Sequence, residues 1–426
     1  MKSQVTEYLP TVEEVIHLIR VFGLLSVVLI VLAFDIAMVQ WMQRNDLNDF
    51  GKFYYSARYF LEGQDMYAAS PATLIPVSDI EWRQFTNMNP PHFHLLVLPL
   101  AFLRPIPALV GWTALSLGGL ALSVRIMVSN LGWPALSRRQ LTLLILYLLA
   151  WAGTGAVILT GQLSWVLLWP MAAAWSAVRR DRWVRAGVLL GLVASVKPFV
   201  LLLVAYFAIR RKGVALLAAG ATIVSLFVLG LAVFGPAAHA AWLRSLGGMN
   251  WAWAVMNGSL FGFLARVLEP GPQLDVVVLA PRFVQPLWVT MAVGGVVLTV
   301  VAVARRSANV DRAFALLTAA SLLFSPLGWV YYSWFLVPPM LGMIRRGIVK
   351  RHRVATVFVL IASLWPVSFA HIGQPSAWAT LTIGSLYFWA LVVVWAVLLR
   401  DASDEPGESP ARRMTAARVQ TAGRPA

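Results

Sequence analysis

An aspartate just behind the first long apolar run has the setting that a proton-transfer group needs. Asp49 lies in Asn45-Asp46-Leu47-Asn48-Asp49-Phe50, where an apolar segment gives way to a polar loop. An ionisable side chain at a membrane boundary is a candidate for function. A carboxylate there can accept a proton from a hydroxyl within hydrogen-bond reach, as an enzyme acting on a lipid-linked substrate requires. The competing reading is local: Asp46, Asn48 or Asp49 caps the next helix and satisfies its free N–H groups.

The elements that must position this group follow from composition. The chain has 426 residues, 59% of them hydrophobic and only 12% charged, against roughly 25% charged in soluble domains. Its mean hydropathy is +0.74. There is no cysteine, hence no disulfide framework and no thiolate metal site. The six histidines are scattered without His-Glu-x-x-His spacing, which argues against catalytic zinc. Nineteen tryptophans suit two membrane interfaces, where amphipathic rings settle at headgroup level. The net charge of +16 would suggest nucleic acid in a soluble protein. Here the basic residues cluster in short turns between apolar runs, so positive-inside topology accounts for them and no nucleic-acid partner is expected.

These runs predict an all-α polytopic membrane protein with about 12 transmembrane helices and both termini cytoplasmic. The run from Ile16 to Gln40, broken by His17, Arg20 and Asp35, reads as a retained transmembrane helix rather than a signal peptide. The resulting order is a cytoplasmic N-terminus at 1–15, a first transmembrane helix at 16–42, and a first external loop at 43–91. A transmembrane bundle at 92–235, an external stretch at 236–284, a second bundle at 285–400 and a disordered cytoplasmic tail at 401–426 follow. Single spans are expected near 108–129, 141–160, 163–178, 213–235, 285–304, 312–327, 329–344, 354–371 and 377–399. Turns at Gly161-Gln162, Ser325 to Gly328 and His371 to Gln374 then face outside. The run 186–209 is expected to break into a hairpin at Lys197-Pro198, because proline disfavours helical geometry in the residue before it. The run 92–103 is too short to span and is expected to be re-entrant or packed inside the bundle.

In the first external loop, Phe50, Phe53, Tyr54, Ala57, Phe60 and Leu61 fall at helical spacing, with Gly63 as a stop. This predicts an amphipathic interfacial helix lying on the membrane. The partial positive charge of its N-terminus favours an anion at Asp49.

The order of short motifs resembles a known superfamily. Asn48-Asp49-Phe50 is followed by Tyr54-Tyr55-Ser56-Ala57 and Leu61-Glu62-Gly63-Gln64-Asp65-Met66-Tyr67. Pro90-Pro91, Pro99-Leu100-Ala101, Gly161-Gln162 and Lys197-Pro198 come next. Asn257-Gly258-Ser259-Leu260 with Arg266, and Ser325-Pro326-Leu327-Gly328-Trp329, close the series. Over roughly residues 16–400 the chain resembles the class C superfamily of integral membrane glycosyltransferases. More narrowly, it resembles the bacterial family of polyprenol-phosphate-dependent mannosyl- and arabinofuranosyltransferases of the actinobacterial envelope. Two positions depart from that pattern: Asn89 stands where the family often has Tyr, and Tyr331-Tyr332 where it often has His.

The resemblance implies a transfer reaction at the outer face of a bacterial plasma membrane. The donor is a polyprenyl-phosphate-linked sugar, the acceptor a lipid or polysaccharide hydroxyl, and membrane lipids surround the enzyme. Asp49 matches the acidic base of the first external loop. No cofactor or metal is expected, since the lipid phosphate is already a good leaving group. Positive charge must meet that phosphate, and Arg266 and Lys197 are the candidates, with Arg266 favoured for its bidentate reach. Their alternatives are a headgroup contact for Arg266 and snorkelling for Lys197. Gln162, Asn257 and Ser259 are candidates for sugar or acceptor hydroxyls, against turn and helix-cap roles. Trp329, Tyr331, Tyr332 and Trp334 are candidates for stacking on sugar or carrier, against an interfacial aromatic belt. His92 and His94 are candidates for acceptor contacts, against a structural role at the start of a membrane segment. A transporter or flippase of a lipid-linked glycan is the alternative function. It needs charges along a midplane path, and Asp35 is the main acid available there.

Overall fold

The computed structural model describes residues 47–76, 82–84, 86–132, 137–248, 251–271, 274–306, 308–364 and 376–401. The expected N-terminal segment 1–15, the first transmembrane helix at 16–42 with Asp35, the turn at 371–374 and the tail beyond 401 lie outside these residues. Among the described residues the fold is helical. Its one sheet is a small antiparallel hairpin, Leu74–Pro76 against Trp82–Gln84, within the first loop.

Four helices among the described residues are long and apolar enough to cross a membrane: Pro105–Leu131 (α2), Gly213–Leu246 (α5), Pro281–Arg305 and Ala377–Arg400. The pair Arg138–Ala150 and Ala152–Thr160, bent by 51°, makes a fifth if counted as one span. These helices are apolar around their whole circumference and leave Leu217, Val224 and Val293 exposed. Such helices suit lipid rather than water. Other apolar runs are divided into shorter helices. Pro198 forces Lys197 into an extended conformation, which separates Trp183–Val196 (α4) from the turn at Pro198–Val200. At the expected end of the 213–235 run, Gly235 takes φ 76° before Pro236, yet the helix resumes and continues to Leu246.

Small residues let the helices approach. Ser164–Arg179 (α3) buries Ala172, Ala173, Ala174 and Ala177. Gly187 and Gly191 of α4 meet Ala215 and Ala219 of α5. At the basic end, the buried carboxylate of Asp311 accepts from Arg179 at 2.6 and 2.7 Å and from Trp175 Nε1 at 2.9 Å. The run 92–103 forms a turn at Pro91–Leu95 and a single helical turn at Leu98–Ala101, with His92, Phe93, His94, Val97 and Ala101 buried.

The amphipathic helix of the first loop is present as Asn48–Leu61 (α1). Its apolar stripe is covered by protein. Phe50 stacks on Trp112 at 5.4 Å, Phe53 meets Phe93 edge-on at 5.1 Å, and Phe60 meets Phe234 at 4.7 Å. Phe50 and Phe53 are fully buried, each worth about 1.5–3 kcal/mol, and Phe60 is partly buried. Tyr54 adds a hydrogen bond to the Leu103 carbonyl at 2.8 Å. The helix is therefore fixed to α2 and to the 91–101 turns.

Candidate active site

Asp49 sits in the first turn of α1. Leu47 occupies the N-cap position with φ 55°, and no side chain caps the helix. The carboxylate is left for tertiary contacts. Gln162 Nε2 donates to its Oδ2 at 2.5 Å, and Lys52 Nζ pairs with its Oδ1 at 2.7 Å.

The meeting of Gln162 with Asp49 is built by Gly161. This residue has φ 65°, and a Cβ there would lie 2.7 Å from Phe50 Cβ. Only glycine allows both the left-handed turn and the close approach of α1. Trp112 Nε1 holds the Gly161 carbonyl at 2.7 Å, so the turn that carries Gln162 is tied to the ring on which Phe50 stacks. Gln162 is buried, and its Oε1 has no hydrogen-bond partner among the described residues.

Lys52 contacts this carboxylate, and Lys197 lies within its electrostatic reach. Lys52, one turn along α1, also lies 5.8 Å from the centroid of the Trp251 ring. Lys197 comes from the break between α4 and the following turn. Its Nζ donates to Asn89 Oδ1 at 2.8 Å and lies 5.3 Å from the centre of the Tyr332 ring. Lys197, Tyr331 and Tyr332 all lie within the electrostatic field of the Asp49 carboxylate.

A chain of amides connects the helix of Asp49 to Lys197. Asn87 Nδ2 donates to Ser56 Oγ at 2.8 Å on α1, and Asn87 Oδ1 accepts from Asn89 Nδ2 at 3.0 Å. Asn87 also meets His94 Nε2 at 2.8 Å, and the other nitrogen of His94 lies 3.2 Å from the Pro90 carbonyl. With its N–H on Nδ1 toward that carbonyl, His94 accepts from Asn87 through Nε2. Tyr67 Oη donates to the Asn89 carbonyl at 2.6 Å, and burial raises the pKa of this phenol, keeping it a donor. Asn87 and Lys52 are additions to the residues expected from sequence.

The remaining candidates divide. Tyr331 and Tyr332 are buried and meet edge-on at 4.7 Å, and Trp329 stacks with Tyr331 at 6.0 Å. The Tyr332 hydroxyl has no partner among the described residues. Trp334 packs on Trp151 at 4.8 Å and Trp165 at 5.8 Å, away from Lys197. His92 directs Nε2 to the Ser195 carbonyl at 3.1 Å.

Arg266, Asn257 and Ser259 form a separate cluster. Arg266 is buried, and it donates to the carbonyls of Ala254 and Asn257 at 3.0 Å each and to Ser385 Oγ at 3.2 Å. Burial lowers its pKa, but a guanidinium remains protonated in proteins. Asn257 uses both ends of its amide: it accepts from the Ser259 and Gly328 N–H groups and donates to the Ala252 and Pro326 carbonyls. Ser259 caps Leu260–Leu268 by accepting from Gly262 N–H at 3.0 Å. Asn257 and Ser259 fasten the 251–260 loop to the 326–329 turn, Arg266 ties that loop to Ser385, and none of the three bonds to Asp49 among the described residues.

These features define a helical protein rich in membrane-length apolar helices, with a carboxylate held by a lysine and a glutamine. Residues 85–326 match the model of glycosyltransferase family 87, more than half of the sequence, and the chain belongs to that family. No curated protein and no solved structure matches the chain. The matched stretch includes Asn87, Asn89, Gln162, Lys197 and Arg266. Asp49 and Lys52 precede it, and Trp329, Tyr331 and Tyr332 follow it.

Proposed function

We propose that this glycosyltransferase takes a sugar, of the mannose or arabinofuranose type, from a polyprenyl-phosphate donor. It passes the sugar to a hydroxyl of a lipid or glycan acceptor, at the extracytoplasmic face of a bacterial plasma membrane. The observation that carries this reading is the grouping of Asp49, Lys52, Gln162 and Lys197. A carboxylate beside two cations matches a reaction that moves a proton and leaves a negative phosphate behind.

In the proposed step, the acceptor oxygen bonds to the anomeric carbon and its proton passes to Asp49. The bond from the anomeric carbon to the phosphate oxygen breaks, and the electron pair leaves on the lipid phosphate. Lys197 and Lys52 stabilise that charge. Both carboxylate oxygens of Asp49 are engaged in the structure, one by Lys52 and one by Gln162. An incoming phosphate competes for Lys52 and thereby frees Oδ1 to accept the proton. Gln162 Oε1 and the Tyr332 hydroxyl, both buried without partners among the described residues, offer hydrogen bonds to sugar hydroxyls. An apolar cavity of about 280 Å³ bordered by Leu148, Trp151, Trp329, Ser333, Val337 and Leu391 suits part of an isoprenoid chain. Arg266, expected as the main phosphate ligand, takes a positioning role here: its bonds to the loop carbonyls shape the wall that carries Trp251. The topology of about twelve spans with the Asp49 loop outside remains part of this proposal. Family membership favours the transferase over the transporter reading.

The test is transfer by the purified full-length protein with a panel of polyprenyl-phosphate sugars and sugar nucleotides as donors. Turnover of a polyprenyl-phosphate sugar, lost in Asp49→Asn, is expected. Turnover with nucleotide sugars alone would overturn the donor assignment.

A further inference from the structure

We infer that the far end of α2 carries a second binding site, one that holds the phosphate headgroup of an anionic phospholipid. A small cavity of about 100 Å³ opens there between the ends of α2, α3 and α4. It is bordered by Ser129, Ser176, Arg180, Arg182 and Arg185, with Ile126 and Ala173 beneath. Three exposed arginines border this cavity, and none has an acidic partner among the described residues. Asp181, in the same turn, takes φ 54° and forms no ion pair with them. The neighbouring Arg179 is committed to Asp311, and Ser176 and Asn130 satisfy one another. The three free guanidiniums therefore lack the counter-charge that their neighbour has. Guanidinium forks match phosphate oxygens in geometry and charge.

The position of the cavity selects a lipid. Trp112 anchors the Gly161–Gln162 turn beside Asp49, and Ile126 borders the cavity. These two α2 residues are separated by about 21 Å of helix rise. The cavity thus lies toward the opposite face of the apolar layer from Asp49, at the level where headgroups sit. Leu122 of α2 and Val184 and Val188 of α4 are exposed apolar side chains on the two helices that frame it, a surface along which acyl chains can lie. Trp183, whose ring carries Lys212 Nζ at 4.5 Å, has the amphipathic character typical of that level. Basic pockets between membrane helices are suited to anionic headgroups.

The test is lipid retention by the full-length protein. Protein purified in detergent is mixed with phosphatidylglycerol and phosphatidylcholine, and bound lipid is read by native mass spectrometry, with thermal unfolding alongside. Phosphatidylglycerol should be retained in preference and should raise the Tm. The triple substitution Arg180→Gln, Arg182→Gln, Arg185→Gln should weaken that retention about tenfold or more, with the Tm in phosphatidylcholine unchanged. The triple Arg→Lys variant keeps the charge that sets topology and should lose part of the retention, which preserves the test if the Gln variant misfolds. Arg138→Gln with Arg139→Gln, on another basic turn, should retain the lipid. Equal loss in that control, or undiminished retention in the triple Gln variant, would overturn the site. Equal stabilisation by inorganic phosphate would overturn the lipid assignment in favour of a soluble anion.

Discussion

Lys52 closes an ion pair with Asp49 at 2.7 Å across one turn of the same helix. Both groups are largely sheltered, with side-chain exposures of 13% and 23%. A pair one helical turn apart on the same helix stabilises that helix locally. Its consequence is chemical: a carboxylate and a cation are in contact, and under the proposed mechanism one must release the other before Asp49 can take a proton.

The direct test of the base is Asp49→Asn. The amide oxygen can still accept from Lys52, its NH2 can donate to Gln162 Oε1 if that side chain turns over, and the helix has no side-chain cap to lose. Thermal stability should stay within about 1 kcal/mol, the range of modest surface changes. Turnover should fall about 10²-fold or more, as when a general base is removed. Wild-type turnover in the purified variant would remove Asp49 from the mechanism.

Lys52→Gln should raise the donor KM and lower kcat together, because the group is assigned both to the phosphate and to release of the base. Loss of one contact to a charged group is worth roughly 1.5–3 kcal/mol, or about 10- to 150-fold. Lys52→Arg should restore part of the rate. Initial rates at saturating and limiting donor separate the two effects. A variant with unchanged donor dependence contradicts the assignment.

Asn89→Ala removes the acceptor that holds Lys197 at 2.8 Å. It should weaken donor use with little effect on acceptor KM. Lys197→Gln should do the same more severely, and the double variant should cost less than the sum of the two, since residues in contact couple. Additive losses would show that Asn89 does not act through Lys197.

Arg266→Ala should appear first as instability. It leaves buried carbonyls of the 254–257 loop without donors, at about 1–3 kcal/mol for each unsatisfied group. Unfolding in detergent should shift accordingly. A stable Arg266→Ala protein with a raised donor KM would return this residue to the phosphate site.

Cysteines placed at Gln64 and Gly271 should react with impermeant reagent in intact cells. Those at Arg180 and Ser403 should react only after permeabilisation. The chain has no native cysteine to obscure the result. External labelling at 180 would reverse the sidedness on which the placement of Gln162 depends.

Much of this architecture could be read from local signals. The apolar stripe of α1, its stop at Gly63, the Lys197-Pro198 break and the 164–179 helix all follow from spacing and proline chemistry. What covers an apolar face is a tertiary matter, and α1 packs on Trp112 and Phe93 although its pattern suited a membrane surface equally. Asp49, Gln162 and Lys197 were each visible as candidates, but the 113 residues between Asp49 and Gln162 hide their meeting. Lys52 falls off the apolar stripe of α1, where solvation is the ordinary role of a lysine. Its spacing from Asp49, one helical turn, was the available sign. Asn87 has no motif of its own and takes meaning only from its four neighbours. Arg266 has a residue type that suits phosphate, and its burial among carbonyls is invisible in one dimension.

The amide chain from Ser56 through Asn87 and Asn89 to Lys197 works as a gauge. Each link is one short side chain, so the gap between the base helix and the buried ammonium is set by covalent lengths rather than by loop flexibility. Position 89 is the adjustable segment of that gauge. A bulkier residue there would have to release Lys197 or push it toward Asp49, and the space left for the sugar would change with it. Under the proposed mechanism, the dimension that selects one sugar ring over another is held by a loop residue that need never touch the sugar.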